Sequence, residues 1–195
     1  LRNIPRAGII HRLDKQTSGL LIISRNLKSH NNLSKQIQSR KMIKKYKVLV
    51  SGVIKNINTI DEKIGRHRVN RKKMAVTDNG KESISKIKVV KRYENTSSLE
   101  VELITGRTHQ IRVHLSYVGH PVIGDKLYGF KNSIFNRDSK LKEILHLYKG
   151  HTLHAMFLQF KHPTSNEEFS IERQPPDKFQ EIESLIDTNS YANTN

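Results

Sequence analysis

Asp14 is the residue whose type and surroundings most clearly suggest a catalytic role. It lies in the stretch HRLDKQTSGLL at residues 11–21. Apolar residues stand on both sides of this stretch, and an ionised carboxylate beside a protein interior loses hydration. Asp14 therefore needs a nearby cation or hydrogen-bond donors to stay charged. Two arginines are candidates for this cation. Arg12 lies two positions before Asp14 in an extended segment and so on the same face, whereas Arg107 comes from a distant loop and can approach the carboxylate head-on. The plain alternative is a structural ion pair or turn cap.

The elements that must position Asp14 are predicted from the spacing of apolar residues. The run at 20–23 predicts a strand, which places Asp14 in a turn between two buried strands. Other expected elements are a surface helix at 29–42, strands at 44–53, 83–93, 99–104, 153–160 and 168–171, an exposed loop or ribbon at 61–77, a turn at 78–80, a mobile insertion at 133–149, a terminal helix marked by Phe179, Ile182 and Ile186, and a disordered tail at 188–195.

A further helix is predicted just after Arg107. Ile111, Leu115 and Val118 recur at i, i+4 and i+7, as the buried face of a helix does. Thr108 can cap its start, and the glycine at 119 is of the type that ends helices. A strand, with every second residue from 111 to 115 apolar, is the competing interpretation.

The composition favours a polyanionic partner. Lys and Arg total 35 against 18 Asp and Glu, a formal net charge of +17, which is typical of nucleic-acid binding. A biased nucleotide composition is the alternative source of so many lysines. The chain has no cysteine, and its histidines lack metal-ligand spacing, so no metal site is predicted. Without a long apolar run or a signal sequence, one soluble, cytoplasmic globular domain is expected.

Two long motifs resemble those of the pseudouridine synthases of the RluA/RluD family. The segment PRAGIIHRLDKQTSGLLIISR at 5–25 is similar to the family signature, and GRTHQIRVHLSYVGHPVIGDKLYG at 106–129 to its second motif. The segment KKYKVLVSG resembles the family's tyrosine-bearing strand, GRHRVNRKKMAV resembles part of the RluD-like branch, and LHAMFLQFKHPTSNEEFSIERQPP resembles the end of the catalytic domain. The resemblance spans nearly all of residues 4–180.

The resemblance implies an α+β fold with a mixed, mainly antiparallel sheet, flanking helices and a central active-site cleft. It implies a catalytic domain at 1–187 that lacks the family's N-terminal strand-rich portion and any S4-type RNA-binding domain, so an N-terminally incomplete fold is expected. The expected partner is a stem-loop of large-subunit ribosomal RNA. Neither a cofactor nor a membrane is expected, and the protein is expected to be a monomer.

The resemblance also assigns residue roles. Asp14 corresponds to the catalytic aspartate, Arg107 to the arginine paired with it, and Tyr46 to the tyrosine stacked on the target base. Arg12 corresponds to the arginine that enters the space left by the flipped nucleotide. The further predicted RNA contacts are Arg66, His67, Arg71, Lys72, Lys73, His109 and Arg112.

Pseudouridine formation breaks the N1–C1′ bond of uridine, turns the base and joins C5 to C1′. One carboxylate can attack C1′ as a nucleophile or remove a ribose proton so that a glycal forms; the sequence leaves both routes open. A non-catalytic RNA-binding or ribosome-assembly module is the alternative function. A glycoside-cleaving enzyme is disfavoured, because such enzymes usually need two carboxylates and no second acid accompanies Asp14 in the motifs.

Overall fold

The computed structural model describes residues 3–131, 135, 138–148 and 150–192. The strands in these ranges are β1 (Ser18–Gly19), β2 (Ile43–Ser51), β3 (Thr59–Asp61), β4 (Ile64–Arg66), β5 (Met74–Val76), β6 (Ile84–Arg92), β7 (Thr96–Leu103), β8 (Leu153–Lys161) and β9 (Glu168–Glu172). The α-helices are α1 (Leu27–Gln38), α2 (Gln110–Tyr117), α3 (Ser139–Leu147) and α4 (Asp177–Ala192).

The main sheet has the strand order β1-β8-β2-β7-β6-β3, and β9 pairs with the second half of β8. Strand β1 runs parallel to β8, whereas the other neighbours are antiparallel. Strands β4 and β5 form a separate two-stranded ribbon. This architecture confirms the expected α+β fold with a mixed, mainly antiparallel sheet, together with the strands predicted from residue 44 onward, the ribbon and the turn at 78–80.

The side chains of β2 alternate between two cores on opposite faces of the sheet, as the twofold period of a strand requires. Tyr46 and Val48 pack on the face that α2 covers. Leu49 points to the other face, which α3 and α4 cover with buried side chains at Leu141, Leu145, Phe179, Ile182 and Ile186. The candidate cleft lies on the α2 face.

The strand predicted at 20–23 is wrong. The backbone pairs with β8 earlier, at Ser18 and Gly19, and the later segment makes only an isolated bridge between Ile23 and Ile9. Leu21 and Ile23 are 41% and 51% exposed, so this apolar run lies at the surface. A short apolar run carries no signal that distinguishes a paired strand from an extended surface segment.

Helix α1 confirms the predicted surface helix with its bounds shifted toward the N-terminus. Asn26 caps it by accepting a hydrogen bond from the Ser29 amide, and Leu33 is its buried anchor.

Helix α2 confirms the helical interpretation and excludes the strand, but Thr108 is not its cap. The capping position is His109, in the left-handed conformation with φ 57°. The Gln110 side chain fixes this entrance instead, since its Oε1 accepts from the Arg107 amide at 2.9 Å. Gly119 follows the helix with φ 85°, as predicted for a helix end.

Two segments expected to lack regular structure contain helix in the residues that the structure describes. Within the predicted mobile insertion, residues 139–147 form α3, because Asp138 caps the helix and two leucines bury against α4. Helix α4 continues through residues 188–192, and Ser190 Oγ accepts a hydrogen bond from the Glu94 amide. Residues 132–134, 136, 137, 149 and 193–195 lie outside the described residues. The extent assigned to the catalytic domain stays a prediction.

No helix in the described ranges is long and apolar enough to cross a membrane.

Candidate active site

A cleft of about 430 Å³ opens on the α2 face of the sheet. The loop before β1, the face of β2 and the start of α2 form its walls. Asp14, Tyr46, Arg12, Arg107, His109 and Arg112 line it, so the structure brings together most of the residues predicted for the site. A cleft of this size accommodates a nucleotide-sized group.

The loop that carries Asp14 is tied to the start of β8 by successive contacts. The Thr17 amide donates to the Asp14 carbonyl at 2.9 Å and closes a turn. Thr17 Oγ1 lies 2.9 Å from His151 Nε2, and Ser18 Oγ lies 2.8 Å from His154 Nδ1. These contacts fix the backbone immediately after Asp14, which holds its carboxylate in one place.

Gly19 allows this close approach to β8. Its φ is 113°, and a Cβ at this position would lie 2.3 Å from the carbonyl oxygen of Ala155. Any other residue would both strain the backbone and collide with β8. Gly19 is therefore required for the Asp14 loop to dock against β8.

The cation that holds Asp14 is Arg112. Its Nη1 donates to Asp14 Oδ2 at 2.9 Å, while its Nε and Nη2 donate to the two carboxylate oxygens of Asp125 at 2.6 and 2.9 Å. The side chains of Arg112, Asp125 and Asp14 are 6%, 2% and 14% exposed. Burial alone would lower the pKa of Arg112, but the hydrogen bonds and charges of Asp125 and Asp14 raise it. The guanidinium is a permanent cation between two acids.

The predicted pairing of Asp14 with Arg107 is therefore wrong. Arg107 lines the cleft, but its Nε donates to the carbonyl oxygen of Glu82 at 3.0 Å. It precedes α2, whereas Arg112 lies in the first turns of that helix and points at the Asp14 loop. Nε, Nη1 and Nη2 of Arg112 all bind carboxylates inside the protein, and its predicted contact with RNA stays a prediction.

His109 and Tyr128 connect Asp14 to the β4–β5 ribbon. His109 Nε2 lies 3.9 Å from Asp14 Oδ1, and its Nδ1 lies 2.8 Å from the Tyr128 hydroxyl. That hydroxyl also accepts from the Met74 amide at 2.9 Å, and the Tyr128 ring lies 4.8 Å from Arg112 Cζ. Burial lowers the pKa of His109, an effect that Asp14 partly opposes and Arg112 adds to. The ribbon thus packs directly beside the site.

Tyr46 projects from the middle of β2 into the cleft and is 6% exposed. Burial, followed by the negative charge of Asp14, raises the pKa of its hydroxyl. The phenol stays neutral at physiological pH, so Tyr46 presents an uncharged aromatic ring to the cleft.

The predicted RNA contacts in the ribbon lie at the end of β4 and in the connection between β4 and β5. Arg66, Arg71 and Lys72 are exposed there. His67 has a local role as well, because its Nδ1 accepts from the amides of Val69 and Asn70. Lys73 Nζ lies 6.0 Å from the centre of the Tyr128 ring. Their contacts with RNA stay predictions.

Sequence reasoning missed three residues of the site. Asp125 follows Gly124 in the second motif, and its acidic type among basic residues was the available signal. Tyr128 and His151 gave no pattern of their own, because their partners are more than ten positions away in the chain.

Comparisons with known proteins identify the family of this chain. The family model described as RNA pseudouridylate synthase matches residues 1–117. The chain is 42% identical over 187 residues to ribosomal large subunit pseudouridine synthase D of Pseudomonas aeruginosa, covering 95% of this chain and 58% of that protein. It is 44% identical over 191 residues to an uncharacterized RNA pseudouridine synthase of Aquifex aeolicus, covering 96% and 59%.

Two solved structures of pseudouridylate synthase domains share the fold of this chain. Human RNA pseudouridylate synthase domain containing 1 matches with a TM-score of 0.70 and 29% identity, over 86% of this chain and 69% of that one. Human RNA pseudouridylate synthase domain containing 4 shares the fold, with a TM-score of 0.72 over 91% of this chain and 75% of that one, at 23% identity.

The chain belongs to the RNA pseudouridylate synthase family, which confirms the resemblance seen in its motifs. It spans a little under three fifths of the length of the curated relatives described here.

Proposed function

We propose that this protein isomerises uridine to pseudouridine in RNA, with Asp14 as the catalytic carboxylate. The observation that carries the proposal is the buried contact of Asp14 with Arg112 at the cleft that Tyr46 also lines. One acid supported by a permanent cation suits a reaction in which a single carboxylate acts at the sugar. The family membership supports the same reaction.

Two routes for Asp14 remain within this proposal. The carboxylate attacks C1′ as a nucleophile, or it removes a proton from the ribose so that a glycal forms. Either route requires an anion with one oxygen available to the substrate. Arg112 binds Oδ2, which leaves Oδ1 facing His109 and the cleft.

The target nucleotide must leave its helix or loop stack to reach Asp14. Extrusion costs a few kcal/mol, and stacking the uracil on Tyr46 would offset about 1–3 kcal/mol of that cost. Arg12 is exposed and lines the same cleft, so its guanidinium can reach out of the cleft and occupy the vacated position in the RNA. Arg107 is then proposed to contact the substrate at the cleft wall.

Large-subunit ribosomal RNA is the proposed substrate, with a stem-loop as the local element. The relative from Pseudomonas aeruginosa is named as a ribosomal large subunit enzyme, and the exposed bases of loops can be extracted. The net charge of +17 and the basic ribbon beside the cleft supply affinity for phosphates. We further propose that the protein acts as a monomer in the cytoplasm.

The test uses large-subunit RNA labelled with tritium at C5 of uridine, because joining C5 to C1′ releases that tritium. The wild-type protein is expected to release it, and Asp14→Asn to release none while binding RNA normally. Asp78→Asn, in an exposed turn outside the cleft, is the matched control and should keep the wild-type rate. A wild-type protein that binds RNA but releases no tritium would overturn the proposal in favour of a non-catalytic RNA-binding module.

A further inference from the structure

Lys44 is a buried cation for which no hydrogen-bonding or ionic partner occurs among the described residues. It lies on β2 two positions before Tyr46, on the same face of the strand, and it lines the same cleft. It is 7% exposed. Its Nζ is not among the unpartnered side-chain atoms of the described residues that solvent cannot reach, so the ammonium group opens onto the cleft. An unpaired cation with so little hydration costs free energy, and its retention at this position calls for an explanation.

The neighbouring lysines show that β2 can pair its cations. Lys45 Nζ lies 3.0 Å from Glu100 Oε1, and Lys47 Nζ lies 2.6 Å from Glu183 Oε2, both on the opposite face of the strand. Lys44 faces the cleft instead. Burial lowers the pKa of its ammonium group, which reflects the cost of a charge in this position.

The glycine at 106 leaves room for the ammonium group. A Cβ at Gly106 would lie 3.4 Å from Lys44 Nζ. The arginines that line the cleft at positions 6 and 12 are exposed, as suits contacts with hydrated phosphates, whereas Arg40 is paired with Glu82. Lys44 is far less exposed and lies two positions from Tyr46 on the same face of β2, so a base stacked on Tyr46 would come closer to it than a hydrated phosphate.

We propose that Lys44 donates a hydrogen bond to a carbonyl oxygen of the extruded uracil and stabilises the negative charge that this base gains. The inference rests on the proposed function. When the N1–C1′ bond breaks, its electron pair stays on N1 and is delocalised onto O2 and O4. Lys44 keeps its proton throughout and acts only through charge and hydrogen bonding. Such preorganised donors in a dry site strongly favour a developing anion.

Single-turnover tritium release at saturating protein tests the assignment with Lys44→Met, which keeps the length of the side chain. We expect a rate lower by about 100-fold or more, the scale found when one donor to a developing anion is removed. The RNA Kd and its salt dependence should not change, and the thermal unfolding temperature should be equal or higher because a buried unpaired charge is gone. Lys44→Arg should recover part of the rate.

Lys45→Met is the matched control, since it removes the same charge from the adjacent, ion-paired position, and it should keep the wild-type rate. A second arm uses RNA with 5-fluorouridine at the target, scored by consumption of the nucleotide. Fluorine withdraws electrons and stabilises the uracil anion, so the deficit of Lys44→Met should shrink on this substrate.

Other outcomes would overturn the assignment in distinguishable ways. A weaker RNA Kd with a lower salt slope and an unchanged single-turnover rate would make Lys44 a phosphate contact. A deficit equally large on 5-fluorouridine, or no deficit at all, would leave Lys44 a structural residue. If the wild-type protein released no tritium, the proposed function would fail and the assignment of Lys44 would fail with it.

Discussion

Arg112 and Asp14 form an ion pair at the cleft, with 2.9 Å between Nη1 and Oδ2. Asp125 accepts two hydrogen bonds from the same guanidinium, and these bonds fix the orientation in which Arg112 contacts Asp14. The geometry of the catalytic candidate therefore depends on a helix and on a loop that are about a hundred residues away in the chain.

Replacing Arg112 should damage the proposed reaction far more than replacing Arg107. Arg112→Met would leave Asp14 and Asp125 without their shared cation, and we expect kcat to fall by about 100-fold or more, the loss typical of an electrostatic group at a reacting centre. Arg107→Met should mainly raise KM, because Arg107 lines the cleft but binds a carbonyl elsewhere. Tritium release at varied RNA concentration separates the two effects. A low kcat with Arg107→Met and a normal one with Arg112→Met would restore the pairing expected from the sequence.

Asp125 should contribute to both stability and turnover without touching the substrate. Asp125→Asn removes one of the two charges that neutralise a buried guanidinium, and breaking such a pair costs about 3–5 kcal/mol. Because Asp14 remains as a partner, we expect a loss of folding free energy near the lower end of that range, measured by urea unfolding. The kcat should fall as well, since Arg112 is then free to shift toward the cleft. Unchanged stability would show that Asp14 alone satisfies Arg112.

Strand β2 and helix α2 were predictable from the sequence because local periodicity encodes them. Alternation along β2 placed Tyr46 and Val48 on one face, and the spacing of Ile111 and Leu115 indicated α2. The motif at 11–21 likewise identified Asp14 as the central residue.

The partner of Asp14 was not predictable, because ion pairing depends on where α2 starts and how it is rotated. With Thr108 as the assumed cap, Arg107 was expected at the helix entrance. Once the side chain of Gln110 fixes the first turn instead, Arg112 projects toward the loop and Arg107 turns away. The side-chain amide nitrogen of Gln110 is itself held by the Ile84 carbonyl and the Ser85 hydroxyl on β6, and no local pattern in the sequence records such tertiary hydrogen bonds.

Acid should destabilise the protein through His151. Burial, followed by the charge of Arg112, lowers its pKa from 6.5 to about 4. Between these values the unfolded chain binds a proton that the folded protein does not, so the stability is fully present above about pH 6.5 and is lost as the pH falls toward 4. The shift corresponds to about 3 kcal/mol, and His151 is only 1% exposed.

His151→Gln provides the check on this pH dependence. Glutamine can keep a hydrogen bond to Thr17 but does not titrate, so the fall in unfolding free energy between pH 7 and pH 4.5 should become smaller by an amount of that order. Urea unfolding at a series of pH values measures it. An equally steep fall in the variant would assign the acid sensitivity to other groups, of which His11, also with its pKa lowered by burial to about 4, is the first to test.

Gly19 should be intolerant of substitution although it is exposed and makes no contact through a side chain. In Gly19→Ala, the new Cβ would lie 2.3 Å from the Ala155 carbonyl oxygen at a φ of 113°. We expect a destabilisation of about 2 kcal/mol or more, as for a residue forced into a strained backbone region, and slower tritium release because the Asp14 loop is displaced from β8. Gly129→Ala is the matched control, since its φ is 98° but nothing lies within 4 Å of a Cβ there. Equal losses in the two variants would mean that backbone conformation alone, without the contact to β8, accounts for the effect.

The ribbon should contribute affinity for RNA and leave the chemical step unchanged. Arg71 and Lys72 are exposed in the β4–β5 connection, and neither makes the ribbon's contacts with Tyr128, which come from Lys73 and Met74. Each phosphate contact that is lost lowers the slope of log K against log salt by about 0.7–0.9. The double variant Arg71→Ala, Lys72→Ala should therefore bind RNA more weakly and keep its single-turnover rate at saturation. Its salt slope should be smaller in magnitude by one such increment for each of the two side chains that contacts a phosphate.

The control, Lys86→Ala with Lys88→Ala, removes two exposed charges from the face of β6 opposite the cleft. If the control reduced the slope as much as the ribbon variant, the effect would belong to the net charge of the protein, and the ribbon would have no specific place in the RNA complex.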